Sequence, residues 1–162
     1  MVFTTMKSLH GDGAVPDKVI TTGKSGTEQD LGKLEIQPAF TIAGRVVLSD
    51  GKSIPPHTRL FLGRQKAADS QQTTLDEQGH FEFKDVPAES VSLAIRIKGY
   101  RLSKRNPSLD WLNGQILGRV TGNMNDLTIL MEPGEWDFDN QADRPGGDDD
   151  YPVNKPLRGL KL

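Results

Sequence analysis

The chain of 162 residues contains no cysteine. That excludes disulfides, thiolate metal sites and a cysteine nucleophile, and it leaves the compartment open. An excess of charge of one sign is missing too: 20 Lys and Arg against 22 Asp and Glu leave a net charge of −2. No global field therefore draws the chain to nucleic acid or to a membrane surface, and no nucleic-acid partner is expected. No apolar run approaches the roughly 20 residues of a membrane-spanning helix. The opening stretch, MVFTTMKSLHGDG, lacks the apolar core of a secretory leader. Two readings of it stay open: a cytoplasmic protein, or a natural N-terminus upstream of residue 1. Apolar residues make up only 35% of the chain. The length suits one domain with loose ends.

What is abundant is punctuation. With 17 Gly and 10 Pro, the composition favours short strands between many turns. The organising stretch is residues 73–100, TTLDEQGHFEFKDVPAESVSLAIRIKGY, which reads as three strands and two turns. Phe81 and Phe83 point one way, His80, Glu82 and Lys84 the other. Val91, Leu93, Ile95 and Ile97 then share a face, with Ser92, Ala94, Arg96 and Lys98 opposite. Such alternation buries one side of a strand and wets the other. Gly79 closes a hairpin turn where a positive φ is needed. Pro87 marks the next turn, because proline cannot donate into a sheet ladder.

Before this stretch, FTIAGRVVL (residues 40–48) and RLFLGR (59–64) are further strands. Gly44 lies where a partner chain comes close or at a bulge. Residues 65–70 read as a polar loop. Residues 15–21 and LGKLEI (31–36) are weaker strand candidates. After it, residues 115–120 and 127–131 are the last strands. NPSLDWLNG (residues 106–114) is the one helix-like piece: Asn106 or Ser108 as cap, Leu109 and Leu112 at i,i+3 spacing, Gly114 as terminator. The expected fold is all-β, an antiparallel Greek-key β-sandwich of about seven strands with a short helical turn near residues 107–113. Its core is Val46, Leu60, Leu62, Phe81, Phe83, Leu93, Ile95, Leu127 and Ile129. Residues 1–37 form a lead-in, residues 38–133 the sandwich, and residues 134–162 a tail. Between residues 132 and 150 there are eight acids against Arg144 alone, residues 151–162 carry Lys155, Arg158 and Lys161 and no acid, and so polar a tail is expected to be disordered or loosely draped on the domain.

GRVVLSDGKSIPP (residues 44–56) followed by LDEQGHFEFKDVPAESVSLAIRIKGY (75–100) resembles the carboxypeptidase regulatory-like, or transthyretin-like, domain. That pattern runs from a G-x-V strand and a D-G turn, through D-x-x-G-x-F-x-F, to a V/L-P turn and a strand ending G-Y. Asp76, Gly79, Phe81, Phe83, Pro87, Gly99 and Tyr100 match it. Glu89-Ser90 departs from it, where the family often has Gly-x-Tyr. The resemblance covers about residues 40–133. It implies a prealbumin-like accessory module without chemistry of its own, part of a larger and extracytoplasmic protein, with neighbouring domains or another protein as partners. LGKLEI then looks like the closing strand of a preceding module. Related carbohydrate-binding-like folds bind polysaccharide, which makes carbohydrate the alternative partner. Fold analogy assigns no ligand.

No enzyme chemistry, metal or cofactor is expected. Gly23-Lys24-Ser25 echoes a phosphate loop, but Lys18 stands where its first glycine belongs. His10, His57 and His80 have no metal-ligand spacing. Asp137, Asp139, Gln141, Asp143 and Asp148 echo a calcium loop, with Ala142 where glycine is required. A solvated acidic linker is the simpler reading. The surface with most to offer is basic: Arg96, Lys98, Arg101, Lys104, Arg105 and Arg119 gather around the end of the 91–97 strand. It could take an anionic polymer or the acidic tail, against the plainer role of a charged strand edge that discourages edge-to-edge pairing. Tyr100 and Trp111 could stack on sugar rings, though Trp111 is more simply a core plug. Trp136 would anchor a partner or tuck against the domain. The candidate surface is therefore Tyr100, Trp111, Arg96, Lys98, Arg101 and Arg119.

Overall fold

A computed structural model describes residues 6, 9, 11–21, 23–110, 113–135 and 155–161. Nine strands follow in order: β1 Phe40–Leu48, β2 Arg59–Arg64, β3 Ser70–Thr74, β4 His80–Val86, β5 Ser90–Ile95, β6 Tyr100–Leu102, β7 Leu109–Asp110, β8 Gln115–Arg119 and β9 Met124–Pro133. They form a four-stranded sheet, β4-β1-β9-β6, and a five-stranded sheet, β3-β2-β5-β8-β7. The all-β sandwich expected from the alternation is what forms, and β1 and β2 have the expected bounds.

The core lies between the sheets. Phe83, Ile42, Leu60, Leu62, Leu93, Leu127 and Ile129 are essentially inaccessible, and Phe81 and Phe83 meet with ring centroids 6.0 Å apart. Each large side chain removed from water contributes roughly 1.5–3 kcal/mol. Ile97, past the end of β5, is buried with them.

Four expectations are corrected. The pairing is not wholly antiparallel: β1 and β9 run parallel, with Val46 opposite Ile129. Gly44 sits at the register shift of that pair, and a Cβ there would lie 1.9 Å from the Leu127 carbonyl oxygen. The helix-like piece contains a strand instead, because Leu109 pairs with Ile116 and Asp110 with Gln115. Asn106, the expected cap, ties the segment after β6 to β9: its Nδ2 donates to Ser103 O and Leu130 O, and its Oδ1 accepts from Leu130 N. Leu112 lies outside the described residues. The presumed loop 65–70 yields its last residue to β3, where Gln71 is buried and donates to Lys84 O at 2.7 Å. Residues 15–21 and 31–36 form no strand among the described residues, and only an isolated bridge joins Ala14 to Gln37.

Both terminal segments grip the sandwich. Met6 is buried in the core and Ala14 is buried against Gln37. At the other terminus the described residues 155–161 are docked, not draped. Arg119 N donates to Lys155 O (2.7 Å), Leu157 N to Arg119 O (2.8 Å) and Leu160 N to Thr128 O (3.0 Å). Leu157 is buried against Gly118, where a Cβ would come within 2.6 Å of the Leu157 Cα. Residues 136–154, with the acidic stretch, lie outside the described residues.

Candidate functional site

β5 has two ends of opposite character. At its Ser90 end the N-terminal segment meets a buried ionic knot. Arg64 and Glu89 are both nearly inaccessible. The Arg64 Nε donates to Glu89 Oε1, and Arg64 Nη2 donates to Glu89 Oε2 at 2.8 Å and to Val15 O at 3.1 Å. Arg64 Nη1 lies 3.6 Å from Asp69 Oδ2, which accepts from Met6 N at 2.7 Å. Asp17 N donates to Glu89 Oε2 at 3.1 Å. The hydrogen bond to Glu89 raises the Arg64 pKa above its usual value, against the cost of burial. The knot therefore holds the lead-in by its backbone, and every partner is internal. Arg119 belongs to this end, donating from Nη2 to Ala88 O at 3.1 Å.

At the Ile95 end the chain is open. β8 pairs with β5 only as far as Leu93. Beyond it, a cleft of about 600 Å3 lies between β5 and β6. Its floor is the edge of the core, where Ile95, Ile97, Leu102 and Met131 are buried, and Asn113, Gly114 and Gln115 form another wall. Its rim carries Arg96, Lys98, Tyr100, Arg101 and Glu135. A second depression of about 450 Å3 shares residues 94–98 and is completed by Pro55, Pro56, His57, Arg59 and Phe61. Phe61 is 44% exposed on the outer sheet face, opposite Ala94. His57 holds a positive φ of 61°, an uncommon backbone region for a side-chain-bearing residue.

The cleft thus joins four of the six residues expected at the surface: Arg96, Lys98, Tyr100 and Arg101. Arg119 is at the far end of β5, and Trp111 lies outside the described residues. The four differ in freedom. Arg101 is committed to Glu132, through Nε at 3.0 Å and Nη2 at 2.9 Å. The Tyr100 hydroxyl donates to Asp50 Oδ2 at 2.7 Å, and Lys52 Nζ stands 2.9 Å from the same oxygen. Lys52 foremost, then Tyr100, lowers the Asp50 pKa to about 2. Asp50 in turn raises the pKa values of Lys52 and Tyr100. Arg96 and Lys98 are exposed and have no ion-pair partner among the described residues.

The other motifs are local structure. Gly23-Lys24-Ser25 leads into a turn closed by Thr27 N on Lys24 O, with no strand or helix around it among the described residues. His80 belongs to the β3–β4 hairpin: its N donates to Asp76 Oδ1 at 2.8 Å and its Nδ1 lies 2.9 Å from Oδ2. The His80 N–H, and then its ring, lower the Asp76 pKa. Among the described residues no three His, Cys, Asp or Glu are grouped to hold a metal, and no helix is long and apolar enough to cross a membrane. His10, Trp136 and the calcium-like acids lie outside the described residues.

The knot is what sequence reasoning missed, although two signals pointed to it. Arg64 occupies the inward register of Leu60 and Leu62. Glu89 stands directly before β5, whose first residues, Ser90 and Val91, are buried. Each is a charge at a position that wants none, and together they are a pair.

No family model matches the chain, and no curated protein does. Among solved structures it is similar to a DUF3823 family protein from Parabacteroides merdae, at 18% identity and a TM-score of 0.38. That alignment covers 59% of this chain and 47% of the other.

Proposed function

We propose that the chain is a non-catalytic accessory module of the carboxypeptidase regulatory-like kind, one segment of a larger extracytoplasmic protein, and that the cleft at the Ile95 end is where it meets a neighbouring domain or another protein. One observation supports the reading most: Arg96 and Lys98 stand at the rim of the cleft with no ion-pair partner among the described residues, whereas Arg64 and Glu89, Lys52 and Asp50, and Arg101 and Glu132 neutralise one another. Exposed cations beside an apolar recess give a partner both burial and orientation. The described residues 14–17 and 155–157 are bound at the opposite end of β5.

Hydrogen exchange tests it. In the whole polypeptide to which the chain belongs, with its partners present, protection relative to the isolated chain should concentrate in residues 55–61 and 94–101. Equal exchange there in both states would count against an interaction role.

Carbohydrate binding is the second reading, favoured by Phe61, which lies exposed beside Arg59 and Arg96. An aromatic face takes a sugar ring and the cations its polar substituents. A glycan array with binding lost in Phe61→Ala would establish it; silence would remove it.

A further inference from the structure

Resting on that reading, we propose that the cleft takes an extended acidic peptide from a partner, one with acids at alternate positions and apolar residues between them. The chain past β5 alternates, with Arg96 and Lys98 exposed and Ile97 buried between them. Lys98 stands at the start of the Ile97–Tyr100 turn, which Tyr100 N closes on Ile97 O at 3.1 Å. In an extended peptide, acids at positions i and i+2 project on one side about 7 Å apart, so that one meets Arg96 and the next Lys98. The residues between them lie on the side of Ile97, over the edge of the core.

The backbone supports the same occupant. β8 leaves β5 at Leu93, and because the odd-numbered residues of β5 face β8, the peptide N–H groups of Ile95 and Ile97 turn to an edge with no strand partner beyond it, while that of Arg96 turns toward β2. Exposed strand edges recruit extended peptides through main-chain hydrogen bonds, while alternate side-chain pockets set specificity. A glycan would use the cations but not that edge. Neither cation need abandon an existing ion pair, so the interaction costs no internal contact, and its Coulombic part is screened by salt.

The test uses the full chain and two fluorescein-labelled nonapeptides of identical composition. One alternates Asp with Leu; the other gathers its Asp residues into a block. Fluorescence anisotropy should show the alternating peptide binding about tenfold more tightly than the blocked one, and the Arg96→Ala/Lys98→Ala variant weakening it by about tenfold or more. The Arg96→Lys variant should keep most of the affinity. The bound peptide should slow amide exchange at Ile95 and Ile97, which a purely ionic contact would not. Circular dichroism of each variant establishes that the fold is intact; both cations are exposed, so it should be unchanged. Equal binding of the two peptides, no binding at millimolar peptide, or indifference to both substitutions would overturn the proposal. So would a heparin hexasaccharide binding more tightly than the peptide and losing affinity in the same variant. Tighter peptide binding after Asp137→Asn/Asp139→Asn would assign the cleft to the chain's own acidic stretch and also overturn it. If residues 94–101 are protected in the whole polypeptide but acidic peptides fail to bind, the peptide inference falls and the interaction role stands.

Discussion

A buried charge is tolerated only where every polar atom is answered, and Arg64 and Glu89 satisfy that condition by drawing on Val15, Asp17 and Asp69. Removing one member leaves the other charged and dry. Arg64→Ala or Glu89→Ala alone should therefore cost about 3–5 kcal/mol in urea unfolding. The double change to Met and Leu should cost much less than the two single losses together, because no charge is stranded. A strictly additive cycle would show that the pair is not coupled. At the other end, Asp50 offers a pH readout. Its pKa is depressed to about 2, so its contribution is full above the ordinary carboxylate value and is lost as pH falls from about 4 toward 2. The group is at the surface, so the change in stability should be slight and is better read at the carboxyl itself. An NMR titration should show the Asp50 pKa rising in Lys52→Met and rising less in Tyr100→Phe, in the order of their influence. An unchanged Asp50 pKa in both variants would show that neither contact persists in solution.

At the scale of the element, legibility followed the period of two. β1, β2, β4 and β5 could be read because apolar and polar residues alternate along them, and Phe81 and Phe83 announce their face without help from the rest of the chain. β6 and β7, three and two residues long, are too short to show a period. Leu109 is a strand residue because Ile116 lies opposite it, which local spacing cannot reveal. The parallel register of β1 and β9 was hidden for the same reason: it joins strands far apart in sequence. Gly44 was its one trace. The Leu127 carbonyl approaches so closely that no Cβ fits, and a backbone carbonyl in a sheet has no flexible end to move aside. Gly44→Ala should therefore destabilise the protein by about 3 kcal/mol or more, with exchange rising along both β1 and β9. A loss under about 0.5 kcal/mol in chemical denaturation would contradict the pairing. The cleft was half legible. Arg96 and Lys98 fell out of the alternation, but that Arg101 is already taken, and that Arg119 sits at the other end, depended on tertiary neighbours.

At the scale of the molecule, the sandwich has a closed end and an open one, joined by β5. Arg64 lies opposite Val91, and Arg96 is five residues further on, about 16 Å at the rise of an extended strand. Nothing polar connects the two ends among the described residues. Between them lie Leu93 and Ile95, packed and uncharged. Energetic effects at such separation with no shared partner add to within about 0.5 kcal/mol. Arg64→Ala should thus loosen the lead-in, as seen by faster exchange at residues 15–17, without altering peptide affinity at the cleft. Arg96→Glu should abolish that affinity without loosening the lead-in. The free-energy change of the double variant should equal the sum of the singles. A coupling above about 1 kcal/mol would mean that the knot and the cleft share a two-state element, and the terminal segments would then control the binding end instead of merely fastening the other.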